Sequence, residues 1–288
     1  MPEFFPAGSF QTFDVARLPS VYLQMVCIIW ARYFFIAGLF MFLLWGRRED
    51  NVNAIRLAKK KPSSQSFKKE ITMSVVSSAI YALPGALVYL SWEAGGTAIY
   101  TEISGLWGLL YLPLSAFLYL FLHDTYFYWS HRAMHHPLLY RTTHLTHHKS
   151  GQPTAWGAFS FHPWETIASA WLLPLLVFFI PLHGGLLLSL LVVMTYCSVA
   201  NHAGWEVIPR SWLQSPIGRQ IITASHHNLH HTNYRANYGL YFRFWDKVCG
   251  TDIGLAEPAR SSKAIVVKPE LVMSQETPVE KAKPAEAA

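Results

Sequence analysis

Uncharged, largely apolar residues fill five stretches of this chain, and the charges gather between them. Positions 20–46 carry a single charge, Arg32, and positions 71–92 carry none between Glu70 and Glu93. Stretches 103–122, 166–182 and 184–200 also lack Asp, Glu, Lys and Arg, and each runs to at least 17 residues. At about 1.5 Å per residue, such runs approach the lower length limit for crossing a bilayer as helices. The pattern predicts an all-α, integral membrane helical bundle of about four spans plus an N-terminal extra. Pro181-Leu182-His183-Gly184-Gly185 is a turn signal between the last two stretches. They are therefore read as a hairpin that either spans fully or re-enters; both versions return the chain to its starting side.

Composition agrees. The chain is 52% hydrophobic and 14% charged, with a mean hydropathy of +0.21. Soluble domains carry about 25% charged residues, so that class is excluded. The length of 288 residues suits one membrane domain. The first 19 residues hold Glu3, Asp14 and Arg17, unlike a basic segment before a cleavable apolar core, so the first stretch is read as a retained span. Cys27, Cys197 and Cys249 are too scattered for a disulfide framework or a CxxC site.

Charge orients the bundle. Arg47, Arg48, Arg56, Lys59, Lys60, Lys61, Lys68 and Lys69 crowd the loop between the first two stretches. Beside a span, such a run reports a cytoplasmic loop and not a nucleic-acid site. Segment 93–105 has Glu93 and Glu102 and no Lys or Arg, as expected on the opposite side. Counting spans from there, stretch 103–122 returns to the cytoplasm, as does the hairpin.

Histidines supply the chemistry. Of 14, ten lie in HRAMHH (131–136), HLTHH (144–148) and HHNLHH (226–231). His144, His147 and His148 repeat the spacing of His227, His230 and His231, which puts three imidazoles on one helical face. Burying such a face without a metal is costly, because each ring has a donor and an acceptor to satisfy. The ligand supply exceeds one ion and points to a two-metal site. The span count brings all three blocks to one membrane face.

Stretch 103–122 is expected to continue as a helix through LHDTYFYWSHRAMHH, with His123, Phe127, His131 and His135 forming a stripe. Pro137 favours a break at or before His136. A second short helix is expected over Leu138–His148, ended by Gly151, Pro153 and Gly157. The third block follows Pro216 and Gly218 and is expected to end before Asn233. The domain reading is an N-terminal segment 1–19, helices and basic loop 20–122, a histidine-box catalytic unit 123–252 including hairpin 166–200, and a disordered cytoplasmic tail 253–288 rich in Pro, Ala, Glu and Lys.

The segments HDTYFYWSHRAMHHPLLYRTTHLTHHKS and HHNLHHTNYRANYGLYFRFWDKVCGTD resemble the histidine boxes of the fatty acid hydroxylase superfamily, nearest to its sterol desaturase and sterol oxidase members. FHPWE at 161–165 and NHAGWE at 201–206 are similar to phrases found between the boxes. The resemblance covers about 115–252. It implies two non-haem irons at the cytoplasmic face and O2-dependent oxidation of a lipid C–H bond. Zinc is an expected contaminant of purified samples, since it often outcompetes ferrous iron for imidazole sites.

Residue by residue, the resemblance carries ligand and catalytic roles to His131, His135, His144, His147, His148, His227, His230 and His231, and a ninth ligand position to His202. His123, His136, His162, His226, Asp124, Asn201 and Asp246 are further candidates for ligands or for groups that orient them. Glu165, Glu206 and Asn228 lie close enough in sequence to do the same. The chain shows no Gly-rich dinucleotide fingerprint. LHGG around His183 lacks the proline and the acidic soluble domain of a cytochrome b5 haem site. Electrons are thus expected from a separate cytochrome b5 or ferredoxin system fed by NAD(P)H. The membrane would be the endoplasmic reticulum or a bacterial inner membrane. The competing class, a histidine-rich metal transporter or storage protein, expects ionisable residues near the midplane of spans, and the stretches offer only Arg32.

Overall fold

The computed structural model describes residues 13–47 and 54–256. Among the described residues, four helices are long and apolar enough to cross a membrane: α1 (Leu18–Leu44, extended by a 3-10 turn at Val15–Arg17), α2 (Ser64–Glu93), α3 (Gly105–Met134) and α8 (Gly184–His202). Their starts are chemically marked. Pro19 sits in the first turn of α1, where its missing N–H costs nothing. The Ser63 side chain caps α2 by accepting from the Ser66 N–H at 3.1 Å.

Contacts at the helix ends define two ends of the bundle. At one, Arg17 before α1 pairs with Glu93 closing α2. There too, Ile99–Tyr100 (β1) runs parallel to Leu182–His183 (β2). At the other, Trp45 after α1 donates to the carbonyl of Ala203 after α8, at 3.0 Å. Ile55–Arg56 pairs antiparallel with Trp205–Glu206 and ties the basic loop to the same end. Helix α3 runs unbroken from the first end to the second and carries His123 and His131, as the stripe predicts.

The hairpin differs from expectation in one arm. Stretch 166–182 is two short helices, α6 (Pro163–Ala170) and α7 (Leu172–Phe179), interrupted at Trp171. The pair still passes between the ends: Glu165 touches His144, and the Val177 carbonyl accepts from Ala98 N–H at 2.8 Å. The N-terminal stretch is thus present as the long helix α1, and this broken pair is the fifth apolar element among the described residues.

Before α6, residues 154–162 run through the bundle without forming an α-helix, which a membrane permits only where protein satisfies the backbone. Small hydroxyl residues do so. Ser74 and Tyr33 both donate to the Trp156 carbonyl, at 2.9 and 2.6 Å, and Ser198 donates to the Ala158 carbonyl at 2.9 Å. Buried Glu70 accepts from Thr154 at 2.6 Å. A core of Tyr33, Phe40, Leu44, Val199, Ala203 and Trp205 locks α1 and α8 around this segment. Large apolar side chains such as Phe35, Phe42, Trp107 and Leu188 point outward, as in a bundle solvated by lipid.

Short elements close the second end: α4 (Pro137–Thr143), α5 (Leu145–His148), α9 (Arg210–Leu213), α10 (Ala224–Thr232) and α11 (Phe244–Val248). The single helix expected over Leu138–His148 is split at His144, the shared cap of α4 and α5. Helix α10 ends at Asn233, where the sequence placed its end. Arg48, most of the N-terminal segment and the tail beyond 256 lie outside the described residues.

Candidate metal centre

Nine imidazoles converge under this cap in two groups. His131, His135, His144, His148 and His230 form one; His147, His202, His227 and His231 form the other. Within each group the ring nitrogens lie within 4.8 Å of one another. The two groups share walls, with the His148 and His231 rings 4.6 Å apart between centroids. All nine are buried except His135, which is partly open. The i, i+3, i+4 spacing on α10 does what its geometry requires, although it divides its rings: His230 joins one group, His227 and His231 the other.

The ring contacts identify what the groups are built for. Carbonyl oxygens only accept, so a ring nitrogen facing one must donate. His202 Nδ1 faces the Ser198 carbonyl at 2.6 Å, and His147 Nδ1 faces the Ser160 carbonyl at 3.4 Å. Both Nε2 atoms are then bare lone pairs, yet they lie 3.2 Å apart. His131 and His230 are fixed in the same tautomer, with Nδ1 atoms 2.8 Å from the carbonyls of Tyr238 and Ala236, and their bare Nε2 atoms face His144 and His148. Facing lone pairs repel unless a cation sits between them. Two nitrogens each about 2.1 Å from one ion at a right angle stand about 3.0 Å apart. The Nε2–Nε2 separations of 2.9 Å for His131–His144, 3.1 Å for His148–His230 and 2.9 Å for His202–His227 match that spacing. The residues fit a pair of imidazole-bound metal ions.

Burial keeps the rings neutral, the form that binds metal. It pushes His148 down to about 3 and holds His144, His147, His227, His230 and His231 well below their ordinary value, with the neighbouring imidazoles adding to the effect. Glu165 Oε1 lies 2.7 Å from His144 Nδ1, and burial raises its carboxyl well above the usual range. A cation on the Nε2 side of His144 offsets that burial and favours a carboxylate accepting the Nδ1 proton.

The other candidates are not in either group. Among the described residues, His123 pairs its Nδ1 with the Tyr241 hydroxyl at 2.9 Å. His136 and His162 cap α4 and α6, accepting from Leu138 and Trp164 N–H, and are not deeply buried. His226, although buried beside His227, turns its Nδ1 back to Thr223 as part of a capping box on α10. A helix-capping partner outcompetes a metal here because residue 226 faces away from 227 by about 100°.

Three polar candidates brace the loop that follows α10. Asp246 accepts from Tyr238 and Gly239 N–H, both at 2.8 Å, and from Thr251 at 2.7 Å. Asp124 Oδ1 accepts from Leu240, Tyr241 and Phe242 N–H. Asn201 donates to the Leu240 carbonyl at 3.2 Å. The loop in turn presents the Tyr238 and Ala236 carbonyls to two ligands. Gly239 is required there, since a Cβ would come within 2.7 Å of the Phe242 carbonyl and 3.0 Å of Asp246 Oδ2. The backbone acceptors at Ser160, Ser198, Ala236 and Tyr238, which fix the Nδ1 side of four of these rings, were missed by the sequence reading, and no side-chain signal marks them.

A cavity of 590 Å³ opens from the histidines into the bundle. His144, His202 and His227 line one end, and Ile99, Thr101 and Gly184 the other. Because Gly184 and His202 bound α8, the slot runs about 27 Å along the helices. Its wall is mostly apolar.

All nine histidines fall within a stretch that matches a known family. Residues 116–251 match the fatty acid hydroxylase family. A Delta(7)-sterol 5(6)-desaturase of Gibberella zeae is 30% identical over 220 residues, covering 75% of this chain and 66% of that protein. The lathosterol oxidase of Rattus norvegicus is 31% identical over 185 residues, 64% of this chain and 60% of its own. Its Homo sapiens counterpart is 32% identical over 145 residues, covering 50% and 47%. The chain thus spans less than two thirds of the length of these relatives. No solved structure matches it.

Proposed function

Because the chain belongs to the fatty acid hydroxylase superfamily, we propose that it is a membrane-bound, O2-dependent oxidoreductase that hydroxylates or desaturates a lipid. The relatives named above act on sterols, which makes a sterol or a fatty-acyl lipid the substrate class. The carrying observation is the pair of facing lone pairs on His147 and His202, 3.2 Å apart, at one end of an apolar slot.

His131, His135, His144, His148 and His230 would hold one iron, and His147, His202, His227 and His231 the other. Ferrous iron, when bound, would supply the electrons that activate dioxygen, the oxidant, toward a C–H bond. The chain does the rest. Carbonyls of Ser198, Tyr238 and Ala236 hold the Nδ1 protons and so aim each Nε2 inward. Phe127 and Phe161, lining the slot beside the rings, keep water from the reacting carbon. The slot itself orients a lipid drawn from the bilayer.

The basic loop supports a reading with the histidine end on the cytoplasmic face of the endoplasmic reticulum or a bacterial inner membrane. There a cytochrome b5 or ferredoxin, reduced by an NAD(P)H reductase, would deliver electrons. A transporter reading is disfavoured, because both groups sit at one end of the bundle and not across its midplane.

The test is reconstitution. Chelator-stripped protein reloaded with ferrous iron is expected to consume O2 only when both lipid and electron donor are present. Metal flux across sealed vesicles without any lipid oxidation would overturn the assignment.

A further inference from the structure

Helix α1 carries one charge at membrane depth, Arg32, and nothing in the metal centre uses it. It lines the 590 Å³ slot. Its Nε is fully buried without a hydrogen-bond partner. Among the described residues, no carboxylate lies within ion-pair distance of it. The one carboxylate lining the slot, Glu165, is engaged with His144. Arg32 cannot shed its charge as a lysine could, since guanidinium stays protonated in proteins. An unpaired cation in an apolar wall is costly to keep, and ionisable groups within spans mark ligand sites.

We propose that Arg32 is a specificity-determining residue that binds the carboxylate head of an amphiphile lying in the slot. This rests on the reading of the slot as the lipid site and names the lipid's polar end. The charge count calls for a single negative charge on the head. A neutral hydroxyl would leave the guanidinium uncompensated, and a phosphate dianion would leave a surplus negative charge. A carboxylate matches in charge and in geometry, because its two oxygens fit the guanidinium fork. Arg32 belongs to neither metal group, so the head it holds is a contact separate from the metals.

Binding can be read without turnover, on metal-free protein in phosphatidylcholine nanodiscs at a pH where the acids are ionised. Two matched pairs serve as probes: palmitate with hexadecanol, and cholesteryl hemisuccinate with cholesterol. The acid of at least one pair is expected to bind about tenfold or more tightly than its alcohol, the range for a hydrogen bond to a charged group. Whichever pair shows the preference identifies the skeleton. R32Q is expected to reduce that ratio to within about twofold while leaving alcohol affinity unchanged, and R32K to keep part of it. Equal binding of acid and alcohol in both pairs, or a preference that survives R32Q, overturns the proposal. If R32Q does not fold, the wild-type ratio and the exclusion of hexadecylamine decide alone. Loss of the preference alongside intact lipid-dependent O2 consumption refutes only the headgroup assignment. A preference without such consumption refutes only the proposed function.

Discussion

At the scale of single residues, ligand and look-alike histidines separate by what their second nitrogen touches. His147→Ala and His230→Ala each remove a lone pair from a different group. Each is expected to cut turnover more than about 100-fold and to lower bound iron by about one ion per chain, while membrane insertion persists. His183→Ala is expected to be near neutral, because that ring faces the Thr101 carbonyl at the opposite end. Metal analysis beside an O2-uptake assay checks both. The clustering of these nine histidines was legible because histidine is chemically conspicuous and an i, i+3, i+4 spacing on a helix keeps rings close together. His226 lies outside both groups and caps α10 instead, since a cap and a ligand read alike in one dimension. The ring environments also predict a pH dependence. Burial pulls His148 from 6.5 to about 3 and His226 from 6.5 to about 4. Between those values and 6.5 the unfolded chain binds protons that the folded chain refuses, so stability rises with pH across that window. Metal-free protein is therefore expected to be stable above pH about 6.5 and to lose stability as pH falls from there toward about 4. A melting temperature that stays flat through the window would contradict this.

At the scale of elements, one loop carries much of the site's precision. Residues 236–243 aim two carbonyls at His131 and His230, and Asp246 and Asp124 hold the loop from behind. Asp246→Ala leaves the N–H groups of Tyr238 and Gly239 without their acceptor in a buried place. It is expected to cost about 1–3 kcal/mol of stability and to weaken iron binding about 10- to 100-fold. Chemical denaturation gives the first figure and iron titration the second; full iron affinity in a destabilised variant would reduce Asp246 to a purely structural role. The sequence pointed to Asp124, Asn201 and Asp246 by proximity to ligands, yet it could not show that they act through backbone amides, because backbone partners have no sequence signature. The broken arm α6–α7 was equally hidden. Its composition reads as a continuous apolar run, and the interruption at Trp171 becomes visible only in the folded chain.

At the scale of the whole molecule, hydropathy and loop charge already implied that the three histidine blocks meet at one end, and the fold brings them together there. Neither signal could reveal the slot, whose walls are drawn from α1, α2, α3, α7 and α8 and exist only once those helices pack. If the slot delivers lipid to the metals, filling it should block chemistry without touching the ligands. Leu191 lies on α8 between Gly184 and His202 and lines the slot, and no metal group includes it. Leu191→Trp adds an indole where a lipid chain would pass. The variant is expected to keep its full iron content and its membrane insertion, and to lose at least about tenfold in kcat/KM with lipid, because a misplaced substrate forfeits orientation at the reacting carbon. Leu191→Ala, which only widens the passage, is expected to stay within a few-fold of the parent enzyme. Equal activity in the tryptophan variant would mean that substrate reaches the histidines by another route, and the cavity would then have to be reassigned.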